Sequence, residues 1–166
     1  LGLELAPQLL LVARRFEARA AVGHSVGGAA IAFAASRGLD LAVAALLAPL
    51  RTPVAFVDEL AAALHLSPAV RAALDDRIVR RIGLRFDEVD VARCAPPTPP
   101  PFLVVHDRND VDVPLAAGTA VADAWRARLV VTSGLGHRRI LRDEAVVNEI
   151  VAFVTASSLR LGVAEA

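Results

Sequence analysis

The chain has 166 residues, 55% of them hydrophobic, and no net charge at neutral pH. This length and apolar content suit one domain with a substantial core. The charge balance removes the electrostatic case for a nucleic-acid or anionic-membrane binder. A single cysteine, Cys94, rules out an internal disulfide, suits a reducing, cytoplasmic compartment, and reads as a small, partly buried apolar residue. All 18 basic residues are arginine. The sequence contains no methionine, which predicts that Leu1 is not a translational start and that the chain is part of a longer protein. The longest stretch free of charged residues, Ala20 to Ser36, is shorter than a membrane span and contains a Gly-Ser turn.

Leu3 to Arg15 reads as a helix, with Leu5, Leu9, Leu10 and Val12 near one side. A short strand, Arg19 to Val22, leads into Gly23-His24-Ser25-Val26-Gly27-Gly28 and an Ala-rich helix over Val26 to Ser36 that stops at Gly38. Leu41 to Leu47 is apolar almost throughout, as in a strand buried on both faces of a parallel sheet. Between Arg51 and Pro101 the character changes. A helix is expected over Phe56 to Leu66. A second starts at Ser67-Pro68, an N-cap followed by proline, and carries Val70, Leu74, Ile78 and Ile82. An acidic segment and a stiff proline-rich connector, Pro96 to Pro101, follow. Phe102 to Val105 and Leu129 to Thr132 read as further strands. Leu115 to Arg126 reads as a helix weakened by Gly118, and Asp143 to Leu159 as a closing helix. Strands alternating with helices predict a parallel α/β sheet.

Three segments carry candidate chemistry. Gly23 to Gly28 contains Gly-x-Ser-x-Gly between a strand and a helix. A serine at such a sharp turn needs small neighbours. Gly23 and Gly27 are expected to supply the room, and Gly28 to let the helix approach the sheet. The first helical amide, that of Val26, would face developing negative charge on an oxyanion. A serine hydroxyl needs a base, and the base an acidic partner. In open α/β sheets such groups gather beyond the carboxyl ends of the strands. There the sequence places His106-Asp107-Arg108-Asn109-Asp110-Val111-Asp112-Val113-Pro114 and then Gly134-Leu135-Gly136-His137. Asp107, Asp110 and Asp112 all stand as candidate acids. His24 reads as a support of the turn, His106 as a hydrogen-bonding partner of the acid loop, and His65 as exposed.

These segments resemble the C-terminal part of an α/β-hydrolase fold protein, of the serine esterase or monoacylglycerol-lipase-like kind. Gly23 to Gly28 resembles the nucleophile elbow. His106 to Pro114 resembles the acid loop His-Gly-x-x-Asp-x-x-Val-Pro, with Asp107 in place of the usual glycine. Gly136-His137 resembles the catalytic histidine turn. The order Ser, Asp, His is that of the family. The resemblance implies a partial α/β-hydrolase fold, with about four parallel strands, flanking helices, and residues 51–101 as a cap-like helical insert within one truncated domain. It implies Ser25 as nucleophile, Asp110 as acid through the Val113-Pro114 register, and His137 as base, with no metal or organic cofactor. The implied activity is hydrolysis of a small-molecule ester through an acyl-enzyme.

Phe56, Leu60, Leu64, Ile78, Ile82, Leu84 and Phe86 suggest an apolar pocket for the acyl group; the bland alternative is that they attach the helices to the sheet. The family's second oxyanion donor comes from an earlier loop, whereas the 22 residues before Gly23 read as one helix and one strand. The chain by itself is therefore expected to be a weak catalyst, with an unpaired strand edge through which it could self-associate. The competing readings are a slow-turnover ligand receptor that keeps the triad and a noncatalytic structural fragment.

Overall fold

The computed structural model describes residues 5–82 and 85–160. Four parallel strands form one sheet in the order β1-β2-β3-β4: β1 is Ala20–His24, β2 Val43–Leu47, β3 Phe102–Asp107 and β4 Arg128–Thr132. The helices are α1 Leu5–Arg15, α2 Val26–Ser36, α3 Pro53–Ala63, α4 Pro68–Ile82, α5 Leu115–Trp125, α6 Gly136–Arg139 and α7 Glu144–Arg160.

The strand alternation sorts the core into two layers. Ala44, Leu46, Phe102 and Val104 face Ile31 and Phe33 of α2 and Val121 and Trp125 of α5. Ala45, Leu47, Leu103 and Val105 face Ile140 and, from α7, Val146 and Ile150. Every residue of β2 and β3 is buried, which explains why both read as continuous apolar runs. Among the described residues, β1 pairs on one side alone, and Val22 is 55% exposed there. This is the edge proposed for self-association.

The strand ends are level. His24 pairs with Leu47, Leu47 with Val105, and Asp107 with Thr132. Whatever follows each strand therefore emerges along one rim of the sheet.

Several boundaries differ from expectation for local reasons. Helix α3 begins at Pro53 rather than Phe56, because the Thr52 hydroxyl accepts the Val54 N–H at 3.4 Å and proline occupies the first helical position. Strand β3 runs on through His106 and Asp107, so both lie in the strand rather than after it. His137 sits on a single helical turn, α6. No helix among the described residues is long and apolar enough to cross a membrane.

Candidate active site

Ser25 stands between β1 and α2 with φ 54° and ψ −121°. This is a left-handed φ for a residue with a Cβ, a conformation that costs about 1–3 kcal/mol and must be held by its surroundings. Its N–H donates to the Leu47 carbonyl at 2.9 Å, and its carbonyl accepts from Ala29 at 3.1 Å and Leu50 at 3.3 Å. Ala48 is likewise at positive φ, 42°. It turns the chain at the end of β2 so that Leu50 comes back to Ser25.

Gly23 is required at this turn: a Cβ there would lie 2.6 Å from Ile31 Cδ1 and 2.8 Å from the Gly28 nitrogen. Gly28 packs as expected, its Cβ position 3.2 Å from the Gly23 carbonyl oxygen and 3.4 Å from Pro49. The expectation for Gly27 needs correction. A Cβ there meets nothing within 4 Å, because that position of the first turn faces open space. Gly27→Ala is therefore expected to raise stability by about 0.5–1 kcal/mol, read as a higher melting temperature; a lower one would contradict the open-space reading.

The three candidate acids separate by what each carboxylate holds. Asp110 is buried, and its Oδ1 accepts the N–H groups of Asp112 at 2.9 Å and Val113 at 2.8 Å. Its Oδ2 accepts the Nδ1–H of His137 at 2.7 Å. A carboxylate can only accept here, so the His137 proton lies on Nδ1 and Nε2 keeps its lone pair. The His137 side chain is 11% exposed and that of Asp110 fully buried. Asp107 serves differently. Its Oδ1 accepts the Asn109 N–H at 2.8 Å, and its Oδ2 accepts the Thr132 hydroxyl at 2.8 Å and the Leu135 N–H at 3.0 Å. It braces the turn that carries His137. Asp112 is exposed.

Burial alone would raise the Asp107 pKa, but bonds from Thr132, Leu135, Asn109 and Gly136 outweigh it and hold the group at about 2, against 3.8 unperturbed. The native state thus favours the ionised form. The resulting stability, about 2 kcal/mol, is complete above pH 3.8 and is lost as the pH falls towards 2. Acid titration of unfolding is expected to show this loss, with a shallower slope over that window in Asp107→Asn. An unchanged slope would contradict the assignment.

His106 is fully buried and donates from Nε2 to the Val113 carbonyl at 2.9 Å, as expected of a partner of the acid loop. Val113 thus receives His106 on its carbonyl and gives its N–H to Asp110, which accounts for the fixed spacing between Asp110 and Val113-Pro114. The ring lies against α5 at Gly118, where a Cβ would stand 2.2 Å from His106 Nδ1. Gly118 therefore sits inside a helix to admit that imidazole. His65 is exposed, and Cys94 is partly buried with its Sγ 3.3 Å from the Glu88 carbonyl, both as expected.

Ser25, Val26 and His137 line one cavity of about 500 Å³, together with Leu50, Arg51, Thr52, Asp112, Val113, Pro114, Ala116, Ala117 and Arg138. Val26 is the first residue of α2, so its N–H has no carbonyl one turn earlier in the helix. Burial and the His137 carbonyl act on His24 in opposite senses; burial is the larger and lowers its pKa.

The expected apolar contribution from the insert is not met by those of its named residues whose side chains are described. Leu60, Leu64 and Ile78 are not among the described lining residues, and Leu60 and Leu64 are exposed. They sit on helices whose apolar sides are shared with solvent. Leu84 and the side chains of Phe56, Ile82 and Phe86 lie outside the described residues. The wall comes instead from residues 50–52, 112–114, 116 and 117. Of these, Asp112, Val113 and Pro114 belong to the acid loop read in the sequence, whereas residues 50–52 carried no such signal.

Residues 86–161 match the family model described as TAP-like protein. Solved structures match over most of the chain. BpoC, a candidate non-heme bromoperoxidase from Mycobacterium tuberculosis H37Rv, superposes with a TM-score of 0.62 at 21% identity, over 92% of this chain and 72% of its own. The chain shares with it a partial α/β-hydrolase fold. The thermophilic esterase Est2 of Thermogutta terrifontis, solved with butyrate bound, shares the α/β-hydrolase fold at a TM-score of 0.59 and 18% identity, over 87% of this chain and 56% of that one. An esterase domain from a Rhodothermus marinus protein gives 0.57 at 23% identity, over 84% and 59%. No curated protein sequence matches. The chain thus spans between about half and three-quarters of the structures it resembles.

Proposed function

We propose that the chain is part of a serine hydrolase that cleaves carboxylic esters, with Ser25 as nucleophile, His137 as base and Asp110 as acid. The observation that carries this reading is the Nδ1–H to Oδ2 bond of 2.7 Å between His137 and Asp110, at the cavity that Ser25 also lines. It leaves His137 Nε2 as the free base.

In the first step the Ser25 Oγ–H proton passes to His137 Nε2 while Oγ forms a bond to the substrate carbonyl carbon. Asp110 stabilises the imidazolium from the Nδ1 side. The Val26 N–H donates to the oxyanion. The tetrahedral species collapses, the C–O bond to the alcohol breaks, and the alkoxide takes the proton from Nε2. Water, deprotonated at the same nitrogen, then releases the acid and restores Ser25. No electron carrier enters this sequence.

Val26, Leu50, Val113, Pro114, Ala116 and Ala117 make much of the cavity wall apolar, which suits a short acyl chain of the kind bound in Est2 as butyrate.

Reaction with a fluorophosphonate, followed by mass spectrometry of the peptides, tests the assignment. The expected result is one adduct, on Ser25. A folded protein with no adduct, or with the adduct elsewhere, would overturn it in favour of a receptor or structural role.

A further inference from the structure

His24 is the last residue of β1 and directly precedes Ser25. Its Nε2 lies 2.8 Å from the backbone carbonyl oxygen of His137, 113 residues away in the chain. A carbonyl oxygen only accepts, so Nε2 carries the proton. The two imidazole rings also pack together, with centroids 4.4 Å apart and planes at 46°. One side chain on the elbow strand thus holds both the main chain and the ring of the base.

Placing the base requires two constraints. Asp110 sets the rotation and tautomer of the His137 ring through Nδ1. That bond does not fix where the His137 main chain stands relative to Ser25. On the acid-loop side, the turn bearing His137 is tied down by Asp107 to the Leu135 N–H and by Asn109 to the Gly134 N–H. The bond from His24 ties it to the strand that carries the nucleophile.

We infer that His24 is a positioning residue of the proposed reaction, fixing the distance between His137 and Ser25 through its bond to the His137 carbonyl. It does not touch the reacting atoms. Burial disfavours its cationic form, so it adds no positive charge beside a base that must become an imidazolium. The sequence pattern Gly-x-Ser-x-Gly leaves position 24 open; the fold gives it this task.

The inference rests on the serine-hydrolase reading, and fluorophosphonate labelling of Ser25 tests the two separately. His24→Phe keeps a ring and removes the donor, whereas His24→Gln restores an N–H donor without the ring. Small displacements of a catalytic group cost orders of magnitude, so His24→Phe is expected to label about ten- to a hundredfold more slowly. His24→Gln should recover most of the wild-type rate. Melting curves on each variant separate positioning from folding, and His24→Leu provides a second donor-free side chain should His24→Phe misfold. Donor-free variants that label at the wild-type rate, or His24→Gln as slow as His24→Phe, would overturn the inference and leave the triad reading standing. No adduct on the wild-type chain would overturn both.

Discussion

Asp110→Asn is expected to slow the labelling of Ser25 about 10⁴-fold with the fold retained. The argument is one of donors and acceptors. In the native site Oδ1 faces two backbone N–H groups, those of Asp112 and Val113, and Oδ2 faces His137 Nδ1. An asparagine has one acceptor oxygen and one donor nitrogen. Its oxygen goes to the two backbone donors, because turning the amide round would set N–H against N–H twice. The amide nitrogen then faces His137 and donates to Nδ1. That places the imidazole proton on Nε2, where the base needs its lone pair. The backbone bonds that shape the loop survive, so melting should change little while reactivity collapses. Rates of fluorophosphonate labelling, with Ser25→Ala as the blank, measure the effect. A fall of less than about tenfold would be too small for a wrong tautomer and would shift the acid role to Asp112, the remaining carboxylate at the cavity.

Trp125→Ala carries the largest expected cost to stability. Trp125 closes α5, is fully buried, and stacks on Phe102 of β3 with centroids 4.7 Å apart and planes 3° from parallel. Its indole N–H donates to the Val91 carbonyl at 2.8 Å. Removing a buried indole costs about 3–5 kcal/mol, and the stranded carbonyl adds about 1–3 kcal/mol unless water reaches it. Against a domain stability of about 5–15 kcal/mol, this is enough to leave much of the population unfolded. The effect also has a route to the cavity. Val91 donates its N–H to the Arg51 carbonyl, and its neighbour Asp90 grips the Arg51 guanidinium through three contacts of 2.8–3.1 Å. Arg51 is part of the cavity wall. Urea unfolding followed by circular dichroism would show the loss. Trp125→Phe, which can keep the stack but not the bond, should fall between. A midpoint for Trp125→Ala within error of the wild type would refute the role given to this ring.

How far the site could be read in advance depended on how local each cause was. The elbow was legible because a strand, a strained serine and a helix are consecutive in the chain, and because Gly23 is demanded by contacts within the same turn. The acid loop was legible as a whole, but not down to the carboxylate. Three aspartates lie within six residues, and residue type says nothing about which one is already committed. Asp107 is occupied by Thr132 and Leu135, residues 25 and 28 positions away. Gly118 read as a weakness in a helix because its reason, the His106 ring, belongs to another element. His24 read as local support for the turn, whereas its partner is 113 residues distant.

Local sequence signals were enough for the four-strand α/β alternation, the tight turn at Ser25 and the order of the candidate acid and base. These follow from periodicity, caps and turn chemistry, which act over a few residues. Only packing between distant elements selects which aspartate meets His137, which residues wall the cavity, and what holds the His137 turn beside Ser25. Those answers depend on the level ends of parallel strands, which bring loops far apart in the chain onto one rim of the sheet.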